Sequence, residues 1–171
     1  MGKLFGYPVF DKAGEMILTA YDNEYKEMMM DIRVYRMKGQ ESRKFYHEGE
    51  EMAILLLSGE VIYEWEGKSG AASRKDVFTE GPWCLHVAGR KEVTVTAKKE
   101  TEILVQCTRN EGVFESRLHG PGDAPWGYSC VGKFGNVAKR RVNTIFDHDI
   151  CPESNMVLGE VLNDKGNWSG Y

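Results

Sequence analysis

Apolar and polar residues alternate with a period of two along much of the chain, and this pattern predicts β-strands. In "EMMMDIRVYRM", apolar positions 28, 30, 32 and 34 face one side of a predicted strand and polar positions face the other. The stretch "KEVTVTAKKETEILVQC" predicts two more strands around a turn at Lys98 to Thr101. Short strands separated by turns, without an amphipathic helix between them, indicate an antiparallel β-sandwich or barrel.

The clearest strand signal is "EMAILLLSGEVIYEWEG". Its first part is a continuous apolar run, typical of a strand buried on both faces. Val61, Tyr63 and Trp65 then alternate with more polar neighbours. Ser58 and Gly59 stand between the two parts, so the sequence predicts a β-hairpin with its turn at these residues. The following "GKSGAASRKD" is rich in small and polar residues and predicts a loop.

The pattern changes from Glu111 onward, where glycine and proline interrupt the chain and no alternation persists. Strand-like runs return with "RRVNTIF" and "MVLGEVL". We therefore predict three parts: a β domain at residues 1–112, a connector at 113–139, and the start of an incomplete second domain at 140–171.

Composition and charge narrow the class of protein. The 171 residues are 42% hydrophobic and 28% charged, with a net charge of −4 and no long apolar stretch. These values predict a globular cytoplasmic protein without a nucleic-acid or membrane partner, although "AKRR" at 138–141 is a short basic cluster. The four cysteines are widely spaced and lack a Cys-x-x-Cys pair, so we expect free thiols.

Histidines are the main candidates for metal or acid–base chemistry. The order of residues from His47 to Gly59 is similar to the first metal motif of cupin barrels, but Gly49 stands where a second histidine is needed. The last metal histidine would fall near Lys91 or Glu92, while His86 comes earlier and is expected to be a buried structural imidazole. The sequence thus predicts a barrel without metal ligands. Two interpretations remain for His47. In one it forms an acid–base pair with a nearby carboxylate, for which the candidates are Glu48, Glu50 and Glu51; in the other these residues form a solvated entrance to the strand.

The segments "GKFGNVAKRRVNTI" and "SNMVLGEVLNDKGNWSGY" closely resemble the 5-deoxy-glucuronate isomerase family of myo-inositol catabolism, which is grouped with the 5-keto-4-deoxyuronate isomerases. The upstream strands fit the first, metal-free cupin unit of that family. The resemblance implies an all-β fold, a cupin-like jelly-roll barrel followed by the first strands of a second one. The matching positions are Arg140, Val142, Glu160, Val161, Gly166, Asn167, Trp168, Ser169 and Tyr171, with Gly170 in place of a second serine.

The resemblance also implies an activity, an aldose–ketose isomerase that converts 5-deoxy-glucuronate to the 2-keto acid. In the family, Pro-Pro-His-x-His, a glutamate and a later histidine follow this motif and bind a divalent metal, and these residues are not in the sequence. We therefore expect zinc or manganese in the full-length family member, none in this chain, and no activity of the 171 residues alone. The alternative is a non-catalytic, truncated cupin that binds a sugar acid or assembles as a homo-oligomer through an open strand edge at 156–162.

Four residues are candidates for substrate binding by this resemblance. Arg140 is suited to bind the substrate carboxylate with two hydrogen bonds, and Glu160, Trp168 and Ser169 are expected to border the mouth of the second barrel. A structural role is the alternative. In that role Arg140 fixes the connector to a strand and Trp168 is a packing residue.

Overall fold

The computed structural model describes residues 6–169, and strands form its framework. Two short 3-10 helices, Lys26–Met28 and Lys133–Asn136, are the helical segments within residues 6–169. No helix of that part is long and apolar enough to cross a membrane. The strands are β1 (Glu15–Thr19), β2 (Asp31–Met37), β3 (Ser42–Phe45), β4 (Glu50–Trp65), β5 (Lys68–Arg74), β6 (Cys84–Val87), β7 (Val93–Ala97), β8 (Thr101–Arg109), β9 (Arg117–His119), β10 (Gly127–Ser129), β11 (Arg140–Phe146) and β12 (Leu158–Asn163).

Strands β1 to β9 form an antiparallel sandwich, which we call the barrel. One face has the order β1-β2-β8-β4-β6-β9, and the other contains β3, β7, β5 and the second half of β4. Alternate residues from both faces point inward and are buried. The predicted all-β, cupin-like sandwich is confirmed.

The predicted hairpin turn at Ser58 and Gly59 is wrong, because β4 runs through these residues for its full 16-residue length. The pairing register shifts between Leu56 and Ser58, and Gly59 has a φ of 112°. A Cβ at this glycine would lie 2.7 Å from the Thr101 Cα, so the backbone can bend here only without a side chain. The hairpin turn lies eight residues later, at Glu66 and Gly67, both with positive φ.

The predicted loop after this turn is also wrong, since it contains β5, which pairs with β4 along its whole length. Its small residues fit a crowded position. A Cβ at Gly70 would lie 2.5 Å from the Leu118 Cδ2, and Ala72 is buried against the core. Close packing therefore favours a strand where propensity alone favours a loop.

The barrel core is one continuous apolar cluster. Its members come from all strands between β2 and β8, and most are completely shielded from solvent. The buried members are Met37, Phe45, Met52, Ile54, Leu56, Val61, Tyr63, Trp65, Ala72, Leu85, Val87, Val93, Val95, Ala97, Ile103, Val105 and Cys107.

A separate three-stranded sheet, β10-β11-β12, packs against the outside of the barrel. Strands β11 and β12 agree with the strands predicted for "RRVNTIF" and "MVLGEVL". Strand β9 lies within the predicted connector and pairs with β6 of the barrel, while the division of the chain at residues 112 and 139 stays a prediction. The contact between barrel and sheet buries Ala53, Leu55, Cys84, Ala124, Ile145, Phe146, Met156 and Leu158.

Candidate functional site

The four predicted binding residues all lie in or beside the three-stranded sheet, but they do not converge on one point. Arg140 begins β11 and stands opposite Asn163, whereas Glu160 stands opposite Asn143, three positions along the ladder. Consecutive residues of a strand face opposite sides, so Arg140 and Asn143 project from different faces of the sheet. The structure therefore separates Arg140 from Glu160.

Glu160 binds an arginine of the barrel. Its two carboxylate oxygens accept hydrogen bonds from Arg74 Nη1 and Nη2 at 2.7 and 2.8 Å. Arg74 is completely buried and also donates to the carbonyls of Leu56 and Glu80, both at 2.9 Å. This bidentate ion pair fixes β12 on the barrel. It also uses both oxygens of the carboxylate that was predicted to border a substrate.

Arg140 contacts the segment that precedes β11. Its Nη1 lies 3.3 Å from the Cys130 sulfur and 3.4 Å from the Ala138 carbonyl oxygen. The Ser129 hydroxyl, followed by the Arg140 charge, lowers the pKa of the Cys130 thiol. Through these contacts Arg140 joins the segment before β11 to that strand, and its role in substrate binding stays a prediction.

The tail packs on the same segment. The Trp168 amide donates to the Val137 carbonyl at 3.0 Å, and the indole lies 5.9 Å from the Phe134 ring. The Asn167 side chain donates to the Lys139 carbonyl at 2.9 Å. Ser169 is exposed, and the motif positions Gly170 and Tyr171 lie outside the described residues.

A cleft separates the three-stranded sheet from the barrel, with a volume of about 290 Å³. Arg141, Asn143 and Glu160 provide its polar groups, and the apolar part includes Leu55 and Phe78. Asn143 is 2% exposed, and its side-chain oxygen has no hydrogen-bond partner within the described part of the chain. A buried acceptor without a partner is unfavourable, so this position is suited to a bound donor.

The histidines adopt two kinds of environment. His47 Nδ1 pairs with Glu50 at 2.9 Å and stays about one-third exposed. His86 is buried, its Nε2 lies 3.1 Å from Glu51, and its ring stacks on Phe146 at 3.9 Å between centroids. The expected structural imidazole is therefore what the structure places at His86.

His119, another of the four histidines, is a second buried imidazole. Burial, followed by the charges of Arg117 and His86, lowers its pKa to about 4. His119 is therefore neutral at physiological pH.

The residues at the positions that the cupin motifs use for metal binding do not form a set of metal ligands in this chain. Gly49 has no side chain, the Glu51 carboxylate is bound by His86, and Glu92 pairs with Lys44 at 3.0 Å. Apolar side chains fill the space between the two faces. No step of a reaction is therefore assigned to a metal at these positions.

Arg74, which joins β5 of the barrel to Glu160 of the three-stranded sheet, is not among the predicted site residues. Its stretch was interpreted as a loop, where an arginine is normally solvated. The available signal was alternation, since Ala72 and Arg74 share the inward face of β5.

Fold and contacts together define the class: an antiparallel cupin-type sandwich that continues into a second sheet packed on its outer surface. The chain belongs to the KduI/IolB family, which matches residues 7–171. An IolB-like protein from Salmonella typhimurium LT2 shares the fold with a TM-score of 0.70 at 17% identity, covering 81% of this chain and 52% of that chain.

Two curated relatives carry the name 5-deoxy-glucuronate isomerase. The one from Geobacillus kaustophilus HTA426 is 31% identical over 144 residues, which is 78% of this chain and 48% of the relative. The one from Geobacillus thermodenitrificans NG80-2 is 30% identical over 150 residues, which is 82% and 50%. The chain thus belongs to a sugar isomerase family and spans about half the length of these relatives.

Proposed function

We propose that this chain forms the N-terminal half of a cytoplasmic isomerase that converts 5-deoxy-glucuronate to the corresponding 2-keto acid. The observation that carries the proposal is the similarity to two relatives of that name, at 31% and 30% identity over most of the chain. Because the chain spans about half of each relative, the activity is proposed for a protein of the relatives' length.

The cleft beside β12 is the proposed position for the sugar acid. Arg141 supplies a cation at its edge, and the unpartnered Asn143 oxygen can accept a hydrogen bond from a substrate hydroxyl. Sugar acids carry one carboxylate and several hydroxyls, so a cleft with a cation and a buried acceptor matches their chemistry.

Isomerisation moves a proton between neighbouring carbons, and the residues of this chain would bind and orient the substrate. A divalent metal, as the family resemblance implies, supplies polarisation of the carbonyl when bound. Arg140 projects from the other face of the sheet, and we propose that its contacts with Cys130 and Ala138 hold the segment before β11 in place beside this cleft.

The test compares the 171-residue chain with the protein encoded by its whole reading frame. We expect the longer protein to isomerise 5-deoxy-glucuronate, and the chain alone to be inactive. In the longer protein, Arg141→Gln should raise KM by about tenfold through loss of a charged contact, with little change in kcat. The control is Arg90→Gln, an exposed arginine outside the cleft.

Two results would contradict the proposal. If the longer protein does not convert 5-deoxy-glucuronate, the proposed activity is wrong. If the Arg141 variant has an unchanged KM, the cleft is not the substrate site.

A second function, assembly without catalysis, has its own support. Strand β12 pairs with β11 on one side only among the described strands, and Val157 and Val161 are 63% and 51% exposed beside that edge. Exposed strand edges with apolar side chains promote self-association. Light scattering of the chain should then show dimers that Val161→Lys converts to monomers, and a strict monomer at high concentration would exclude this function.

A further inference from the structure

Three different donor groups meet at one end of the barrel, away from the three-stranded sheet's cleft. Glu50 begins β4, His47 precedes it by three residues, and Cys107 belongs to the neighbouring strand β8. Met52 stands opposite Cys107 in the ladder, so Glu50, two residues earlier, projects from the same face. The ligand atoms of the three side chains all lie within 4.8 Å of one another.

The set of donors fits a particular class of ion. An imidazole nitrogen, a carboxylate oxygen and a sulfur are the three ligand types of zinc sites, whereas magnesium and calcium prefer oxygen alone. A tetrahedral zinc ion holds its ligand atoms about 3.3 to 3.6 Å apart. His47 Nδ1 and Glu50 lie 2.9 Å apart, so side-chain shifts of about an ångström bring all three groups onto one ion.

Burial and access also differ among the donors. Cys107 is 2% exposed, while the side chains of His47 and Glu50 are 36% and 18% exposed. These two residues line an open depression that also includes Asn110 and Asn155. An ion can therefore reach His47 and Glu50 from the solvent side, and the buried Cys107 sulfur lies within 4.8 Å of the ligand atoms of both.

We propose that His47, Glu50 and Cys107 bind one zinc ion at the end of the barrel, with a fourth coordination position open to solvent. This ligand set shares His47 with the cupin-like motif, but Glu50 and Cys107 are neither cupin positions nor part of the downstream motif that the family resemblance implies. It also opposes the expectation that this chain holds no metal. The proposal does not depend on the isomerase function, because it concerns residues of the barrel alone.

Cobalt(II) titration of the purified 171-residue chain tests the site, since cobalt replaces zinc and a thiolate ligand gives charge-transfer absorption in the near ultraviolet. We expect this absorption to saturate at one cobalt ion per chain and to disappear when zinc is added. Cys107→Ser should abolish it. His47→Gln and Glu50→Gln should each weaken cobalt binding by at least about tenfold, the lower end of what is lost when groups that merely orient ligands are changed.

Matched variants separate this site from general binding to thiols or imidazoles. Cys130→Ser, Cys151→Ser and His148→Gln change residues outside the cluster that are half-buried or exposed, and they should bind cobalt like the unmodified chain. His47→Gln changes a partly exposed side chain, so it tests the site even if Cys107→Ser does not fold. Absence of charge-transfer absorption would overturn the proposal, and so would an unchanged cobalt affinity in His47→Gln or a loss of the absorption in Cys130→Ser.

Discussion

Val93, Val95 and Ala97 on β7 are completely buried, whereas on β12 Leu158 is buried and Val161 is about half exposed. This contrast holds for the two regions as a whole. The barrel encloses its own apolar cluster between two faces, while the three-stranded sheet buries apolar side chains only where it touches the barrel. The barrel therefore has its own core, and the sheet depends on a few contacts with the barrel surface.

Those contacts include charged and polar groups as well as apolar ones. Arg74 binds Glu160, and the Glu51 carboxylate of β4 accepts hydrogen bonds from the Ser154 hydroxyl at 2.9 Å and the Asn155 amide at 2.6 Å. Such bonds are directional, so they determine where the sheet lies on the barrel. The comparison predicts that the sheet can be released while the barrel stays folded.

The largest effect is expected for Phe146→Ala. Phe146 is completely buried, stacks on His86 and belongs to the cluster between barrel and sheet. Removing the ring should destabilise the protein by about 3 to 5 kcal/mol. Hydrogen exchange should show that β11 and β12 lose protection while β4 and β8 keep theirs.

Phe78→Ala is the control, because its ring is 63% exposed, and it should change stability by less than about 1 kcal/mol. Equal loss of protection in β4 and β12 of the Phe146 variant would mean that barrel and sheet unfold as one unit.

A smaller loss, about 3 kcal/mol, is expected for Glu160→Gln, which leaves the buried Arg74 charge without its partner. Urea unfolding measures it. Glu92→Gln is the matched control, because the Lys44–Glu92 pair is 3.0 Å long but mostly exposed and should contribute at most about 0.5 kcal/mol. If both variants lose the same stability, the buried pair does not hold the sheet.

The smallest effect concerns acid. His119 has a pKa of about 4 in the folded chain and an ordinary value of 6.5, so the unfolded chain binds the proton first as the pH falls. Stability should therefore decline between about pH 6.5 and pH 4. After allowance for solvent screening, the contribution is about 1 kcal/mol.

Thermal unfolding between pH 7.5 and pH 5 tests this contribution. His119→Gln should show a flatter decline than the unmodified chain, while the exposed His148→Gln should not. Parallel declines in all three proteins would assign the acid sensitivity to other groups.

Apolar runs and alternation predicted β2, β4, β7, β8, β11 and β12, because these strands bury one or both faces. They misplaced the hairpin turn, since Ser58 and Gly59 are turn residues in most contexts. Here Gly59 is needed for the close approach of Thr101, a contact between residues far apart in sequence. For the same reason β5 was missed: its small residues are explained by the packing of Gly70 on Leu118, not by local propensity.

The sites were less predictable than the strands. Arg74 and Glu160 are 86 residues apart, and His47 and Cys107 meet through the pairing of β4 with β8. Because the two members of each pair are far apart in sequence, no short sequence motif contains both. The motif positions Arg140 and Trp168 were found by resemblance, but their contacts depend on how the segment before β11 folds.

The continuity of β4 also has a consequence for how fast the chain folds. Its first half pairs with residues 102–109 and its second half with residues 93–97. Both faces of the barrel therefore form only when β4 pairs with residues 93–109, which are distant in sequence. Closing such long loops before any stabilising contact forms is slow. We expect folding in milliseconds to seconds, with β4, β7 and β8 assembling in one cooperative step and the β10-β11-β12 sheet docking afterwards.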